Sequence, residues 1–288
     1  MVDLHTHTTC SDGSLSVRAL LELASKENVR YLSITDHQNV DAYKELGDIE
    51  TRKLFNGKII PGVELFFKHG NISNEVLGYG IDIKKMAKLN KLTSKQLESE
   101  FLFLEDLYAV ISKYDCELSN INLIKERMRK ENLIAREAMI YDSLNRKALR
   151  SLGSGPKPDK DFITVKVADP QSEFYIKRKQ CLDTLEQAST KIRKAGGLVF
   201  MAHAFDAGND KDVLEMLDYA VNNKLVDGIE VYYKNFTKPQ VQFMENYAKQ
   251  HNLLISGGSD FHHVKSKSGN LTQLDFDIMP WIKQITFL

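Results

Sequence analysis

The chain has 288 residues, 42% of them hydrophobic, with 39 Lys and Arg balanced by 39 Asp and Glu. That length suits one large α/β barrel or two modest domains, and the even charge gives no bulk electrostatic case for a long nucleic acid or a membrane surface, while allowing a small phosphate in a local site. Three widely separated cysteines without a C-x-x-C (Cys10, Cys116, Cys181) and no apolar run of about 18 residues set the expectation of a cytoplasmic, disulfide-free protein with no signal peptide or membrane span.

The first predicted strand, from Val2, carries His5 and His7. Residues two apart on a strand face the same side, so both imidazoles can close on one ion. Asp12 follows in a Ser-Asp-Gly-Ser turn that can fold back over the strand end. An isolated H-x-H also fits two histidines paired by chance on an exposed strand. Leu20, Leu21 and Ala24 then mark a helix, and residues 30–34 form a strand running into Asp36 and His37. Another strand, from residue 58, leads to Glu64, and the next, over 74–79, contains Glu75.

Residues 87–189 bear no ligand-type strand end. Thr93-Ser-Lys-Gln96 reads as a capping box, followed by an apolar helical face through Leu97, Phe101, Leu104, Tyr108 and Ile111. Residues 123–149 read as further helix, broken by the Gly- and Pro-rich stretch at 153–158. Beyond this block, strands deliver His203, then Glu230, then Gly258-Ser259-Asp260-Phe261-His262. Strands alternating with helices imply a parallel sheet, and polar residues gathered at strand C-termini match barrel enzymes. The expected fold is therefore an α/β barrel formed by residues 1–86 and 190–288, with residues 87–189 a mainly helical insertion over the active-site mouth.

The ligand inventory is His5, His7, Asp12, Asp36, His37, Glu64, Glu75, His203, Asp260 and His262. Nitrogen and carboxylate donors without thiolate suit Mn, Fe or Zn. Ten candidates exceed the needs of one tetrahedral ion, so two or three divalent ions are expected. Such clusters hydrolyse phosphoesters by binding phosphoryl oxygens and ionising a water near neutral pH.

His5-x-His7, Ser11-Asp12-Gly13, Thr35-Asp36-His37, Pro61-Gly62-Val63-Glu64, Ala202-His203 and Gly258-Ser-Asp-Phe-His262 together resemble the PHP (polymerase and histidinol phosphatase) family. The resemblance implies a distorted seven-stranded β/α barrel with a trinuclear metal centre. His5, His7, Glu64 and Asp260 would hold one ion; Glu64 would bridge to a second with His203. Asp12, His37 and His262 would hold the third, with Asp36 orienting an imidazole. Two departures stand out. Glu75 occupies a position where the family usually has a histidine, and Ala204-Phe205-Asp206 replaces the usual proline and nearby arginine after His203. Glu75 reads as a substitute ligand or as a strand-edge carboxylate.

Gly80-Ile-Asp82, Leu152-Gly153 and Gly228-Ile-Glu-Val-Tyr-Tyr233 resemble stand-alone family members with a helical insertion, including phosphatases of nucleoside 3′,5′-bisphosphates. A small phosphorylated substrate, a nucleotide, is therefore expected. Arg136, Lys234 and His263 are candidate phosphate contacts, each more readily read as a solvated surface group. Histidinol-phosphate phosphatase, a short-oligonucleotide 5′-3′ exonuclease and a silent metal-binding scaffold or sensor are the alternatives.

Overall fold

The computed structural model describes every residue except 71, 155–157, 178–181, 265–270, 272–273, 275–278 and 286, and omits the side chains of 160, 161 and 164. Cys181 and the centre of the Gly/Pro-rich break thus lie outside the described residues; Cys10 and Cys116 are free thiols. The chain divides into two compact units, Met1–Asn90 with Asp183–Leu288, and Lys91–Leu182.

The first unit is a distorted β/α barrel. Its strands are β1 (Val2–Thr6), β2 (Tyr31–Ile34), β3 (Lys58–His69), β4 (Ile72–Tyr79), β5 (Asp183–Thr184), β6 (Leu198–Met201), β7 (Gly228–Tyr233) and β8 (Leu254–Gly258). They line up as β1-β2-β3-β4-β6-β7-β8, with the short β5 beside β3. The seam between the ends of this row is bridged by Thr6 and Phe261, with His7 N donating to Phe261 O at 2.9 Å. Two apolar layers hold the barrel. Outward side chains such as Val63, Val76, Val199 and Ile229 pack under helices that present Leu20, Leu21, Ile192 and Leu217. Ile60, Leu77, Tyr79 and Phe200 pack together with Trp281 of the C-terminal segment, whose indole N–H donates to Ile255 O at 2.7 Å. Each buried aliphatic side chain contributes roughly 1.5–3 kcal/mol, so these layers leave the polar mouth as the costly part of the fold.

The strands are not all parallel, as the alternation of strands and helices suggested. β4 runs antiparallel to both β3 and β6. Gly70, at φ 58°, supplies the left-handed residue that the tight β3–β4 hairpin requires. The reversal means that Glu75 lies in the first half of its strand rather than at its C-terminal end. Next to the end of β3, where Asp183 pairs with Phe67, Lys191 donates to Asn90 Oδ1 at 3.4 Å and pairs with the Asp183 carboxylate. One ammonium thereby joins the residues where the chain leaves the barrel and returns to it.

The second unit is helical with its own core, in which Leu104, Leu107, Met128, Met139 and Phe162 are fully buried. The Thr93 capping box opens the helix Ser94–Ile111. Residues 123–149 form parts of three helices rather than one. Asn132, at φ 59°, ends Ile121–Glu131; Ala135–Tyr141 follows; and Asp142 caps Ser143–Leu152 by accepting from Leu144 N and Asn145 N. Among the described residues no helix is long and apolar enough to cross a membrane.

Candidate metal centre

The ligand-type side chains converge at one end of the barrel. His5 Nε2 lies 3.2 Å from Glu64 Oε1 and 3.4 Å from Asp260 Oδ1, while His7 Nε2 lies 3.2 Å from Glu64 Oε2 and 3.1 Å from Asp260 Oδ1. Asp12 Oδ1 meets His262 Nε2 at 3.0 Å and His37 Nε2 at 3.6 Å. His203 Nε2 meets Glu64 Oε1 at 3.1 Å. Among the described residues, three sets have ligand atoms within the spacing that one ion can span: His7, Asp12, His37 and His262; His5, His7 and Asp260; and His5, Glu64 and His203. Asp260 holds φ at 48°, a left-handed conformation uncommon for a residue with a side chain. Such strain persists where surrounding structure over-determines a functional residue.

Burial and charge compete strongly here. Burial opposes a charged ring at His5, His7 and His203, yet the adjoining carboxylates prevail; His7 is raised to about 10 and His203 to about 9. Burial also opposes ionisation of Glu64, Asp12 and Asp260, but the imidazoles hold all three well below the ordinary carboxylate range. At Glu75 burial wins, and the carboxyl is pushed up to about 7. His5 Nε2, His7 Nε2, His37 Nδ1 and His203 Nδ1 are buried without hydrogen-bond partners. Buried nitrogens facing carboxylates in poor hydrogen-bond alignment fit divalent ions, which take the place of ring protons on binding.

Two carboxylates support the ligand-type side chains in different ways. Asp36 contacts no imidazole directly. Its oxygens accept from Thr8 N and Thr8 Oγ1, both at 2.7 Å, and from Ser11 Oγ at 2.6 Å. These local donors satisfy Asp36 first, so it braces the loop that carries Asp12, and only Ser11, 3.5 Å from His7 Nδ1, relays it toward a ring. Glu230, fully buried on β7, holds the imidazole instead: its Oε1 lies 3.0 Å from His5 Nδ1 and its Oε2 accepts from His203 N at 2.9 Å. Outer partners of this kind set the tautomer of a ligand histidine, and their loss typically costs about 10–100-fold in metal affinity or activity. Glu230→Gln is therefore expected to weaken metal binding by roughly 10-fold with little change in melting temperature; calorimetric titration with Mn2+ checks it, and unchanged affinity would sink the assignment.

The family now follows from sequence comparison: the PHP domain matches residues 3–148, half of the chain. The chain belongs to the PHP family. It is 26% identical over 269 residues to the 5′-3′ exoribonuclease Rnm of Escherichia coli (strain K12), covering 90% of this chain and 84% of that protein. It is 24% identical over 271 residues to the 3′,5′-nucleoside bisphosphate phosphatase of Chromobacterium violaceum, covering 91% and 87%. Among solved structures, an amidohydrolase from Chromobacterium violaceum with bound sulfate and no metal superposes with a TM-score of 0.72 at 22% identity, over 98% of this chain and 95% of that one. A structure from Bifidobacterium adolescentis also gives 0.72, at 23% identity, over 99% and 94%. The structural likenesses establish the PHP fold, and family membership makes this PHP protein a metal-dependent phosphoesterase.

The remaining candidates of the PHP chain are scattered. Glu75 Oε2 stands 4.0 Å from His203 Nδ1, beside the centre. His263 neighbours it, with its ring 6.0 Å from that of His262. Lys234 is exposed just beyond β7, and Arg136, partly buried, belongs to the helical unit. The ring of His69 packs at a tilt against Tyr219 and that of His251 against Tyr247, away from the ligand sets. Asp206 lies 4.0 Å from His203 Nδ1; its position three residues after His203 is the signal that the sequence carries.

Proposed function

We propose that this PHP protein hydrolyses a phosphomonoester of a small nucleotide, such as a nucleoside 3′,5′-bisphosphate, in the cytoplasm. The observation that carries the reading is the convergence of the three His, Asp and Glu sets at one barrel end. His5, His7, Glu64 and Asp260 would hold one ion; His203, with Glu64 or Glu75, a second; and Asp12, His37 and His262 a third. When bound, divalent Mn, Fe or Zn ions supply Lewis acidity toward phosphoryl oxygens and lower the pKa of water. The chain's own residues set the geometry: Glu230 aims the His5 ring, Asp36 braces the Asp12 loop, and the backbone hydrogen bonds from His7 N to Phe261 O and from Phe261 N to His5 O hold β1 against the segment bearing Asp260. The bisphosphate phosphatase of Chromobacterium violaceum supports the substrate class through its 24% identity over nearly the whole chain.

A second reading, 5′-3′ cleavage of short oligonucleotides, is favoured by the 26% identity to the Escherichia coli exoribonuclease. A few terminal nucleotides need no extended basic groove, in keeping with the balanced charge. The test presents metal-free protein, reloaded with Mn2+, with adenosine 3′,5′-bisphosphate and with a 5′-phosphorylated RNA tetramer. Phosphate release from the bisphosphate is expected. Mononucleotide release from the tetramer alone would replace the first reading with the second, and no turnover of either would overturn both.

A further inference from the structure

The segments that follow β6 and β7 make one flank of the barrel mouth aromatic. β6 leads past His203 into the short helical turn Ala204–Ala207, which carries Phe205. β7 ends in Tyr233, and Phe236 follows in a turn where its N donates to Tyr233 O at 3.0 Å. The helix Lys238–Gln250 then presents Phe243. The rings form a continuous series. Tyr233 lies 5.3 Å from the His203 ring, Phe236 5.1 Å from Tyr233, Phe205 5.3 Å from Phe236, and Phe243 5.8 Å from Phe205. The last three contacts are edge-to-face, at 78°, 87° and 69°.

One end of this series belongs to the candidate metal centre. Tyr233 is buried, and its hydroxyl lies 3.3 Å from Asp260 Oδ2 and accepts from Asn235 Nδ2 at 3.0 Å. The other end meets water: Phe205 and Phe236 are partly exposed, and Phe243 is 38% exposed. Packing accounts for the inner sides of Phe205 and Phe236, which touch the outer apolar layer, but not for the exposure. The helix buries Met244, Tyr247 and Ala248 and has no need of Phe243 for that purpose. An edge-to-face contact engages the face of only one ring of a pair, so the three contacts leave aromatic faces over on rings that border solvent. The exposed Asn235 adds an amide beside them. An apolar wall with few polar groups, continuous with reactive side chains at the strand C-termini of a barrel, is the usual make-up of a small-ligand site.

We infer that Phe205 and Phe236 form a stacking platform for the base of a nucleotide whose phosphate lies at the ligand-type cluster. The two residues determine specificity and take no part in the chemistry. Every base has a π-face, so the platform selects nucleotides over aliphatic phosphomonoesters without fixing which base is bound. The inference rests on the nucleotide reading proposed above and assigns its base to one flank of the mouth.

The experiment uses full-length, Mn2+-loaded protein with two substrates, adenosine 3′,5′-bisphosphate and its abasic analogue, in which hydrogen replaces the base. Phe236→Leu and Phe205→Leu keep apolar volume and remove the ring. Each is expected to lower kcat/KM for the nucleotide at least about 5-fold, the low end for loss of one base–aromatic stack, and to leave the abasic substrate unchanged. Unchanged kcat/KM for the nucleotide in both variants would overturn the platform. So would an equal fall on both substrates, which marks a structural role. Binding of the 2-aminopurine bisphosphate, whose fluorescence is quenched on stacking, supplies a readout independent of turnover. If the wild type hydrolyses neither substrate, the bisphosphate reading fails on its own. Quenching that Phe236→Leu or Phe205→Leu abolishes would still uphold the platform, and absence of quenching in the wild type would overturn it.

Discussion

Replacing His7 with alanine lowers phosphoester hydrolysis by at least about 10³-fold, beyond the ~10–100-fold expected for an outer partner, while far-ultraviolet circular dichroism at room temperature stays unchanged. His7 belongs to two of the three ligand sets, so its loss disturbs more than one ion position. Its ring is fully buried at the polar end of the barrel, away from the aliphatic layers that hold the strands. Removing it therefore withdraws a donor without opening the core. Asp260→Ala is expected to behave alike, since Asp260 Oδ1 approaches both His5 and His7. An unfolded spectrum for either variant would show instead that the ions serve chiefly to hold the barrel together.

Gly258→Ala is expected to have the largest effect on stability. A Cβ at this position would lie 2.3 Å from His5 Cβ and 2.5 Å from His5 N, closer than non-bonded atoms approach. The obstacle includes backbone of β1, which cannot rotate away, so β8 must retreat from the seam that closes the barrel. Overpacking typically costs 1–3 kcal/mol, so a fall in melting temperature of roughly 5 °C or more is expected. Because the displaced residue is His5 itself, Mn2+ affinity should fall with it. Gly70→Ala provides contrast: nothing lies within 4 Å of its added Cβ, and its cost comes from the positive φ alone. A melting curve for Gly258→Ala that overlays the wild type would contradict this account of the seam.

The site was more legible in the sequence than the path of the chain that builds it. Ligand histidines and carboxylates announce themselves by type and by following short apolar runs, as at Thr35-Asp36-His37 and Gly258 to His262. Strand direction has no such marker. β4 has the same kind of apolar composition as the strands that run parallel elsewhere in the sheet, and only the tight turn containing Gly70 betrays the reversal. The spatial neighbours of Asp36 were not legible either. A carboxylate adjoining a ligand histidine in sequence suggests an imidazole partner, but Thr8 and Ser11 place three donors around it in space. Glu230, on a barrel strand end, meets the His5 imidazole 225 residues away through barrel closure. In the helical unit, the left-handed Asn132 interrupts a run whose composition alone reads as continuous helix.

The lysine that ties Asn90 to Asp183 has a bearing on how such a chain can change over time. For the barrel, everything between those two residues is an excursion whose two ends are already fastened side by side. The entropy of closing a loop grows only slowly with its length, by about 0.6 kcal/mol per doubling. With its doorway fixed, the excursion can be lengthened, trimmed or exchanged in descent without re-registering a single strand. The barrel end that carries the ligand-type side chains and the inserted segment are thus free to evolve at different tempos.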